Sequence, residues 1–571
     1  MGIQFKRNEI LVVCCFLLFV FCAAIFQLSS YDLWWHLAGG RFIVEGNGIP
    51  HVDPFSYTAQ GVEWIDHEWL FQLVIFAVEH LAGATGLILL RANLIALIGF
   101  LIFRFVRSQG GLGAAPTAFL LIPFILAGRD RFLMRPELFT ILFATLLMTT
   151  LLKQRDQLPG FRELWWAPAL FALWANVHGG LIVGVAMFGL YGAGLLLQVL
   201  PVIGPSSKPK FKDIIPVAGV GLAAVAAGLV NPFGYHVYEV PFKLTALIES
   251  GIYNNLEWHH PGWPSQWLFY LMIVITGIVL VTRARRRDWP AILPLLFLGA
   301  ISLQYVRNIA LFSLLAPLFI VRLLRNRDDR ERTVPLAGFH PAAASILLLL
   351  LGAWIVTAGY RFPAGLTIAH HRVPVGGVDF IEQHRPPGNL YNVYGFGGYV
   401  SWRLWPEVLT FIDGRNEVFV DIRKRLGESV ADSRKWTKML NDFGIGYALV
   451  SYAKVLEEVT LIDPAGGPPK VEYWPYTETH FPRRSWALVF WDDACMVYLR
   501  RTDQGQHLIK EHEIKHVFPS DANFQIEAFR KGWANPGDCV RELQARLSTD
   551  PGCTRAHKLL ERVLQEVRVV R

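Results

Sequence analysis

Long apolar stretches broken by short polar connections fill the first 360 residues, and shorter apolar runs alternating with polar ones fill the rest. A helix that crosses a bilayer takes about 20 apolar residues, with a range of about 17 to 25. On that measure helices are predicted over 10 to 28, 86 to 106, 113 to 128, 136 to 152, 164 to 177, 181 to 200, 214 to 230, 265 to 282, 289 to 303, 309 to 325 and 342 to 359. The expectation is about eleven spans in a domain covering 1 to 360. Residues 69 to 82 are apolar but short and carry Glu79 and His80. Such a piece suits the membrane interface better than a crossing.

Beyond residue 360 the period changes. Runs at 389 to 394, 408 to 412, 447 to 451, 485 to 491 and 495 to 499 read as strands, with helices near 376 to 384, 397 to 404 and 431 to 443. This predicts an α/β domain over 361 to 505, and 506 to 571 reads as a helical hairpin tail of the tetratricopeptide (TPR) type. Leu543, Leu547, Ala556, Leu559, Leu560 and Val563 supply the tail's apolar face. The run Gly395-Phe396-Gly397-Gly398 lacks the Lys and Ser/Thr that a nucleotide phosphate loop needs. Phe411 to Asn416 is a polar cluster after a predicted strand, suited either to a ligand or to a salt-bridged turn.

With 53% hydrophobic residues, 19 Trp and 39 Phe in 571 positions, and a mean hydropathy of +0.35, the chain is a polytopic membrane protein. Its net charge of +8 does not indicate nucleic acid, because the basic clusters flank apolar spans. With 69 to 82 at the interface, Lys6/Arg7, Arg104/Arg107, Lys153/Arg155/Arg162, Lys208/Lys210/Lys212, Arg283 to Arg287 and Arg322 to Arg332 all fall on one side. That side is the cytoplasm. The N-terminus is then cytoplasmic and the C-terminal domain periplasmic or extracellular, in a bacterial inner (plasma) membrane. Bulky Phe21 before Cys22 does not fit a cleavable signal. Of six cysteines, Cys539 and Cys553 lie where an oxidising compartment permits a bridge.

The same topology sends the unusual polar residues to one face. A long first external loop, 29 to 85, carries Asp32, His36, His51, Asp53, Asp66, His67 and Glu68. Arg129, Arg131 and Arg135 follow at the next external connection, then Asn176 and His178, then Glu257, then Arg307. Acids, imidazoles and guanidiniums gathered at one pole of an apolar body suggest an active site or a transport vestibule. Arginines are scarce outside. They bind phosphate oxygens in a fork, or else pair with Asp130, Glu137 or lipid head groups. Asp32 and His36 share a helical face at i,i+4. The turn at Gly179-Gly180 explains its glycines, though not why Asn176 and His178 stand beside them. The His/Asp/Glu supply is adequate for a divalent metal such as Mg or Mn, yet no ligand spacing indicates one and no cofactor is required.

A first helix with its N-terminus inside, an acid just beyond it, a long first external loop, some eleven spans and a soluble external domain together resemble the integral-membrane glycosyltransferases of the C fold class (GT-C). Protein O-mannosyltransferases, aminoarabinose transferases and oligosaccharyltransferase catalytic subunits belong there. The strings Asp-Leu-Trp-Trp-His-Leu at 32 to 37, Arg-Pro-Glu-Leu-Phe at 135 to 139, Trp-Ala-Asn-Val-His-Gly-Gly at 174 to 180 and Asn-Pro-Phe-Gly at 231 to 234 also resemble those of a bacterial membrane family grouped with them. The resemblance implies sugar transfer from a polyprenyl-phosphate donor to a glycan, lipid or protein acceptor, with Asp32 as the first-loop catalytic acid. The family's paired acid is missing, since Leu33 adjoins Asp32, and Asp66 or Glu68 is left to supply it. The competing readings are a transporter or flippase of a lipid-linked or anionic substrate, and a non-catalytic envelope assembly protein.

Overall fold

The computed structural model describes residues 7 to 153, 158 to 200, 210 to 253, 255 to 283, 287 to 324, 340 to 358, 363 to 452, 455 to 461 and 468 to 570. Lys6, Arg155, Lys208, Arg285, Arg286 and the basic residues at 325, 327, 330 and 332 lie outside the described residues. Two compact units emerge: Met1–Ser30, Gly39–Ile49 and Ile65–Thr367 make the first, and Tyr31–Ala38, Pro50–Trp64 and Ile368–Arg571 the second. The long first loop is thus divided between them.

The first unit is helical. In chain order it contains α1 (Arg7–Ala23), the last turn of α2 (Asp32–Phe42), α3 (Trp69–Gly110), α4 (Ala114–Gly128), α5 (Glu137–Leu151), the single turn α6 (Phe161–Leu164), α7 (Ala167–Val177), α8 (Leu181–Val199), α9 (Phe211–Ala227), α10 (His236–Glu249), α11 (Trp267–Arg283), α12 (Trp289–Gln304), α13 (Ile309–Leu324) and α14 (Pro341–Thr357). Each of the eleven stretches predicted as an apolar helix is helical. Trp69–Gly110, Leu181–Val199 and Val306–Leu324 are the three described helices long and apolar enough to cross a membrane. Others run 15 to 17 residues, such as Glu9–Ala23 and Pro341–Thr357, or about 22 to 26 Å at 1.5 Å per residue. Residues 69 to 82 are continuous with the helix that follows, but the backbone breaks at Gly83, where φ is +59°. Only glycine adopts that conformation without strain.

Two arginines close the C-terminal end of α1. A helix leaves its last carbonyls without partners and gathers negative potential there. Arg91 donates through Nε to the Ala24 carbonyl at 3.1 Å and through a terminal nitrogen to that of Phe26, and Arg129 donates to Ala23 at 2.9 Å. Both are 1% exposed. Arg129 therefore holds the end of α1. A second buried pair ties other helix ends together. Arg322 binds Asp288 at 3.0 Å and donates to the Leu152 carbonyl at 3.0 Å.

The second unit is built on a four-stranded sheet in the order β1-β2-β6-β5, from β1 (Asn389–Asn392), β2 (Ile445–Ser451), β5 (Trp486–Trp491) and β6 (Cys495–Arg500). β1 runs parallel to β2 and the other pairs are antiparallel. A separate hairpin, β3 (Leu456–Leu461) with β4 (Lys470–Pro475), was not anticipated. Helices α15 (Val375–His384), α16 (Gly397–Leu404) and α18 (Ser433–Asp442) match their predictions, and α17 (Val420–Val430), the short α19 (Tyr476–His480) and α20 (Gln506–His512) are additional. The tail is helical as expected, with α21 (Ala522–Arg530), α22 (Pro536–Thr549) and α23 (Thr554–Val570). Asp432, Asp521 and Asn535 accept the first amides of α18, α21 and α22. Cys539 and Cys553 are buried and free, so the bridge that the sequence permits is not formed.

Residues 408 to 412 do not form a strand. Their backbone instead meets the first-loop segment: Thr410 donates to the Phe55 carbonyl at 3.0 Å, and Tyr57 to that of Thr410 at 3.4 Å. The Tyr57 hydroxyl donates to Leu390 at 2.7 Å and the Thr58 hydroxyl to Phe411 at 2.5 Å. The glycines at 397 and 398 serve close packing rather than a phosphate. A Cβ at Gly397 would strike the Ile412 carbonyl, and one at Gly398 would lie 3.0 Å from the Trp35 amide nitrogen.

Candidate functional site

Within the first unit, helix ends and connections bring three arginines and two glutamates together. Arg131 ends the turn after α4, Arg135 lies just before α5, Glu137 begins α5, Glu257 sits on the short turn Leu256–Trp258, and Arg307 lies in the turn before α13. Arg131 is 3.2 Å from Glu137 and 2.9 Å from Glu257. Arg135 is 2.7 Å from Glu257 and donates through Nε to the Ser30 hydroxyl at 3.0 Å. Arg307 is 3.3 Å from Glu137 and lies over the Trp258 ring at 4.5 Å. Burial on its own would raise the Glu257 carboxyl, but Arg135 and Arg131 hold it well below the usual carboxylate range. Three guanidiniums against two carboxylates leave one positive charge among these five groups.

A second group adjoins the first through α5, where Glu137 and Thr140 stand three residues apart on one face. The Trp174 indole donates to the Thr140 hydroxyl oxygen at 2.9 Å, and that hydroxyl is 2.7 Å from His178 Nδ1. The hydroxyl oxygen has a second lone pair, so the Thr140–Nδ1 bond runs in either direction according to the imidazole tautomer. Nε2 of His178 faces Glu68 at 3.6 Å. His67 is fixed by the backbone: its Nδ1 lies 3.1 Å from the Ile65 carbonyl, an obligatory acceptor, so Nδ1 carries the proton. Its Nε2 is 3.7 Å from the same Glu68 oxygen. Burial lowers the His67 imidazole and takes that of His178 down to about 3, against Glu137, which favours its charge, and with Arg307 and His67, which oppose it. Both rings are neutral at pH 7. The Gly179-Gly180 pair does more than turn the chain: a Cβ at Gly180 would collide with Thr140 and His178, and one at Gly179 would lie 3.0 Å from His67 Nε2.

Asn176 and Asp66 hold the scaffold. The Asn176 side chain accepts from the Trp69 indole at 2.9 Å and donates to the Ala172 and Val230 carbonyls, each at 2.8 Å. Asp66 is 1% exposed and accepts from the Gln72 amide at 2.5 Å near the head of α3.

The second unit holds Asp32, His36, His51 and Asp53. Asp32 opens α2 and is half-buried, with its Oδ1 and the Trp35 indole nitrogen beside Gly414, 2.7 and 2.9 Å from where a Cβ there would stand. His36 is 2% exposed and stacks on Trp35, with ring centroids 3.6 Å apart. His51 is exposed. Asp53 accepts the amides of Phe55 and Ser56, each at 3.1 Å, and binds Arg415 at 2.7 Å. Arg415 also grips Asp413 at 2.6 Å and lies over Trp64 at 4.6 Å, with no side-chain exposure. Asp53 is thus the first-loop half of a buried clamp. The cluster from Phe411 to Asn416 is the salt-bridged turn of the two alternatives.

Sequence reasoning missed Glu137 as a site member, Thr140, Trp174 and the Asp413–Arg415 partner of Asp53. Glu137 is visible in the string Arg-Pro-Glu, whereas a threonine inside an apolar helix carries no signal of its own. Among the described residues no group of three or more His, Cys, Asp or Glu is arranged to hold a metal ion.

No family model matches the chain, and no curated protein matches it. Among solved structures it is similar to the archaeal oligosaccharyltransferase AglB from Archaeoglobus fulgidus in complex with an inhibitory peptide and a dolichol-phosphate, with a TM-score of 0.49 and 10% identity over 82% of this chain and 74% of that one. The apo form of the Archaeoglobus fulgidus oligosaccharyltransferase gives the same values. Its complex with Zn and sulfate gives 0.48 and 10%, over 97% and 85%. At one identical residue in ten, the chemistry has to be argued from this chain's own side chains.

Proposed function

We propose that this chain is a membrane glycosyltransferase that moves a sugar from a polyprenyl-phosphate donor to an extracytoplasmic glycan, lipid or protein acceptor, with inversion at the anomeric carbon. The observation that carries this reading is the cluster of Arg131, Arg135 and Arg307 with Glu137 and Glu257, at the helix connections of an apolar bundle. An anion neutralises what remains, and guanidinium forks suit phosphate oxygens. A lipid phosphate brings its head group to such a cluster while its chain stays among apolar helices. On this reading the eleven apolar helices are the spans, and the second unit lies outside the cytoplasmic membrane.

Asp32 acts as the general base. At the first position of α2 it lies at the positive end of the helix dipole. It is half-buried at the head of α2. It takes the proton of the acceptor hydroxyl or amine as that group attacks the anomeric carbon. The bond from that carbon to the phosphate oxygen breaks, and the arginines stabilise the departing phosphate. One carboxylate used in this way fits direct displacement. His178, beside Glu68, holds the donor's polar end.

The test uses the full chain in lipid nanodiscs with a panel of polyprenyl-phosphate sugars. Asp32→Asn is expected to lose sugar transfer at least 100-fold while still binding undecaprenyl phosphate, read by native mass spectrometry. Full transfer by that variant removes Asp32 as the base.

A further inference from the structure

The two carboxylates of the arginine cluster are mounted differently. Glu137 is the first residue of α5, a helix packed against α3, α7, α8 and α13. Glu257 rides on a three-residue turn, Leu256–Trp258, opened by Asn255, whose side chain accepts the Glu257 amide at 3.0 Å. That turn attends to all three arginines. Glu257 spans Arg131 at 2.9 Å and Arg135 at 2.7 Å, and the neighbouring Trp258 lies under Arg307. It is tethered to the connection before α13 by the Val306 amide, which donates to the His259 carbonyl at 3.0 Å, and by the Trp258–Tyr305 ring contact at 5.1 Å.

A carboxylate bridging two guanidiniums presents two oxygens to two forks, as a phosphate does. We infer that Glu257 occupies the phosphate-monoester position of the cluster as an internal ligand, and that the substrate's phosphate displaces it. This rests on the proposed function only for the identity of the anion.

Charge supports the exchange. With Glu257 in place the cluster carries three positive and two negative charges, a net +1. With Glu257 displaced and Glu137 retained it carries three positive and one negative, a net +2. A polyprenyl-phosphate sugar is a phosphodiester with one negative charge, and the polyprenyl phosphate that leaves is a monoester approaching two. The opened cluster is therefore matched to the departing group rather than to the donor. Such a difference lowers the barrier, because the added negative charge appears only as the glycosidic bond breaks. Return of Glu257 then competes with the product and assists its release.

The experiment measures binding of farnesyl phosphate, farnesol and inorganic phosphate to the full chain in detergent, by microscale thermophoresis, alongside thermal unfolding. Glu257→Gln is expected to bind farnesyl phosphate at least tenfold more tightly than wild type, Arg135→Gln at least tenfold more weakly, and farnesol equally in all. Inorganic phosphate competing with the same rank order identifies a site for the phosphate alone, and farnesyl phosphate binding without such competition assigns the site to the lipid head group. Equal or weaker binding of farnesyl phosphate by a Glu257→Gln protein that unfolds at the wild-type temperature overturns the inference. Glu257→Asp, which keeps the charge but cannot span both arginines, provides the same reading if Glu257→Gln does not fold. Tighter binding by Glu257→Gln with no sugar transfer by any variant keeps the internal ligand and removes the glycosyltransferase reading.

Discussion

Thr140 ties His178 to Trp174, because its hydroxyl accepts from the Trp174 indole and bonds His178 Nδ1. Replacing it with Val conserves shape but strands two buried partners, the Trp174 N–H and His178 Nδ1. Each loss costs about 1–3 kcal/mol. Thr140→Val is therefore expected to lower the thermal unfolding temperature and to reduce transfer, while Thr140→Ser restores both. A serine variant as impaired as the valine variant would show that the methyl group rather than the hydroxyl matters. None of this was legible in the sequence, where position 140 is one small residue in an apolar run. His178 itself was legible, since a histidine beside two glycines interrupts a stretch too long for one helix.

Among elements, the turn Asp413-Gly414-Arg415 depends on a first-loop residue more than 350 positions earlier. Arg415→Met leaves Asp53 and Asp413 buried without their cation, at a cost of about 3–5 kcal/mol. Circular dichroism and thermal unfolding should report a loss confined to the second unit. The triple variant Asp53→Asn, Asp413→Asn, Arg415→Met should recover most of it, and a triple variant no more stable than the single one would mean that the turn is held by packing. The sequence revealed the apolar helices well, because their signal is local: length and hydropathy suffice. It misled at 408 to 412, an apolar run that reads as a strand. Its apolar character answers to burial against residues 55 to 58 rather than to a ladder of its own. The β3–β4 hairpin escaped for the converse reason, since its exposed faces keep the strands polar.

For the whole molecule, the proposed topology puts the connections carrying Arg131, His178, Glu257 and Arg307 on one side of the membrane. His260, exposed and next to His259 in the third of these, is the place to check it. A cysteine at 260 is expected to react with a membrane-impermeant maleimide added to intact cells, and reaction only after lysis would reverse the orientation and the site with it. Organisation at this scale was partly legible. The change of pattern near 360 is close to the division at Thr367, whereas nothing in residues 31 to 38 or 50 to 64 announces that they belong with the C-terminal unit.

That membership sets a timetable for biogenesis. Tyr57 meets its acceptor 333 residues later in the chain, and Thr58 meets its own 353 residues later. At about 5–20 residues synthesised per second, these segments wait on the order of tens of seconds after emerging before their partners exist. During that interval the Phe55 and Trp64 side chains, Asp53 and several backbone amides have no completed site to fill. A fragment beginning at 368 lacks the same pieces, so its Arg415 would be without Asp53.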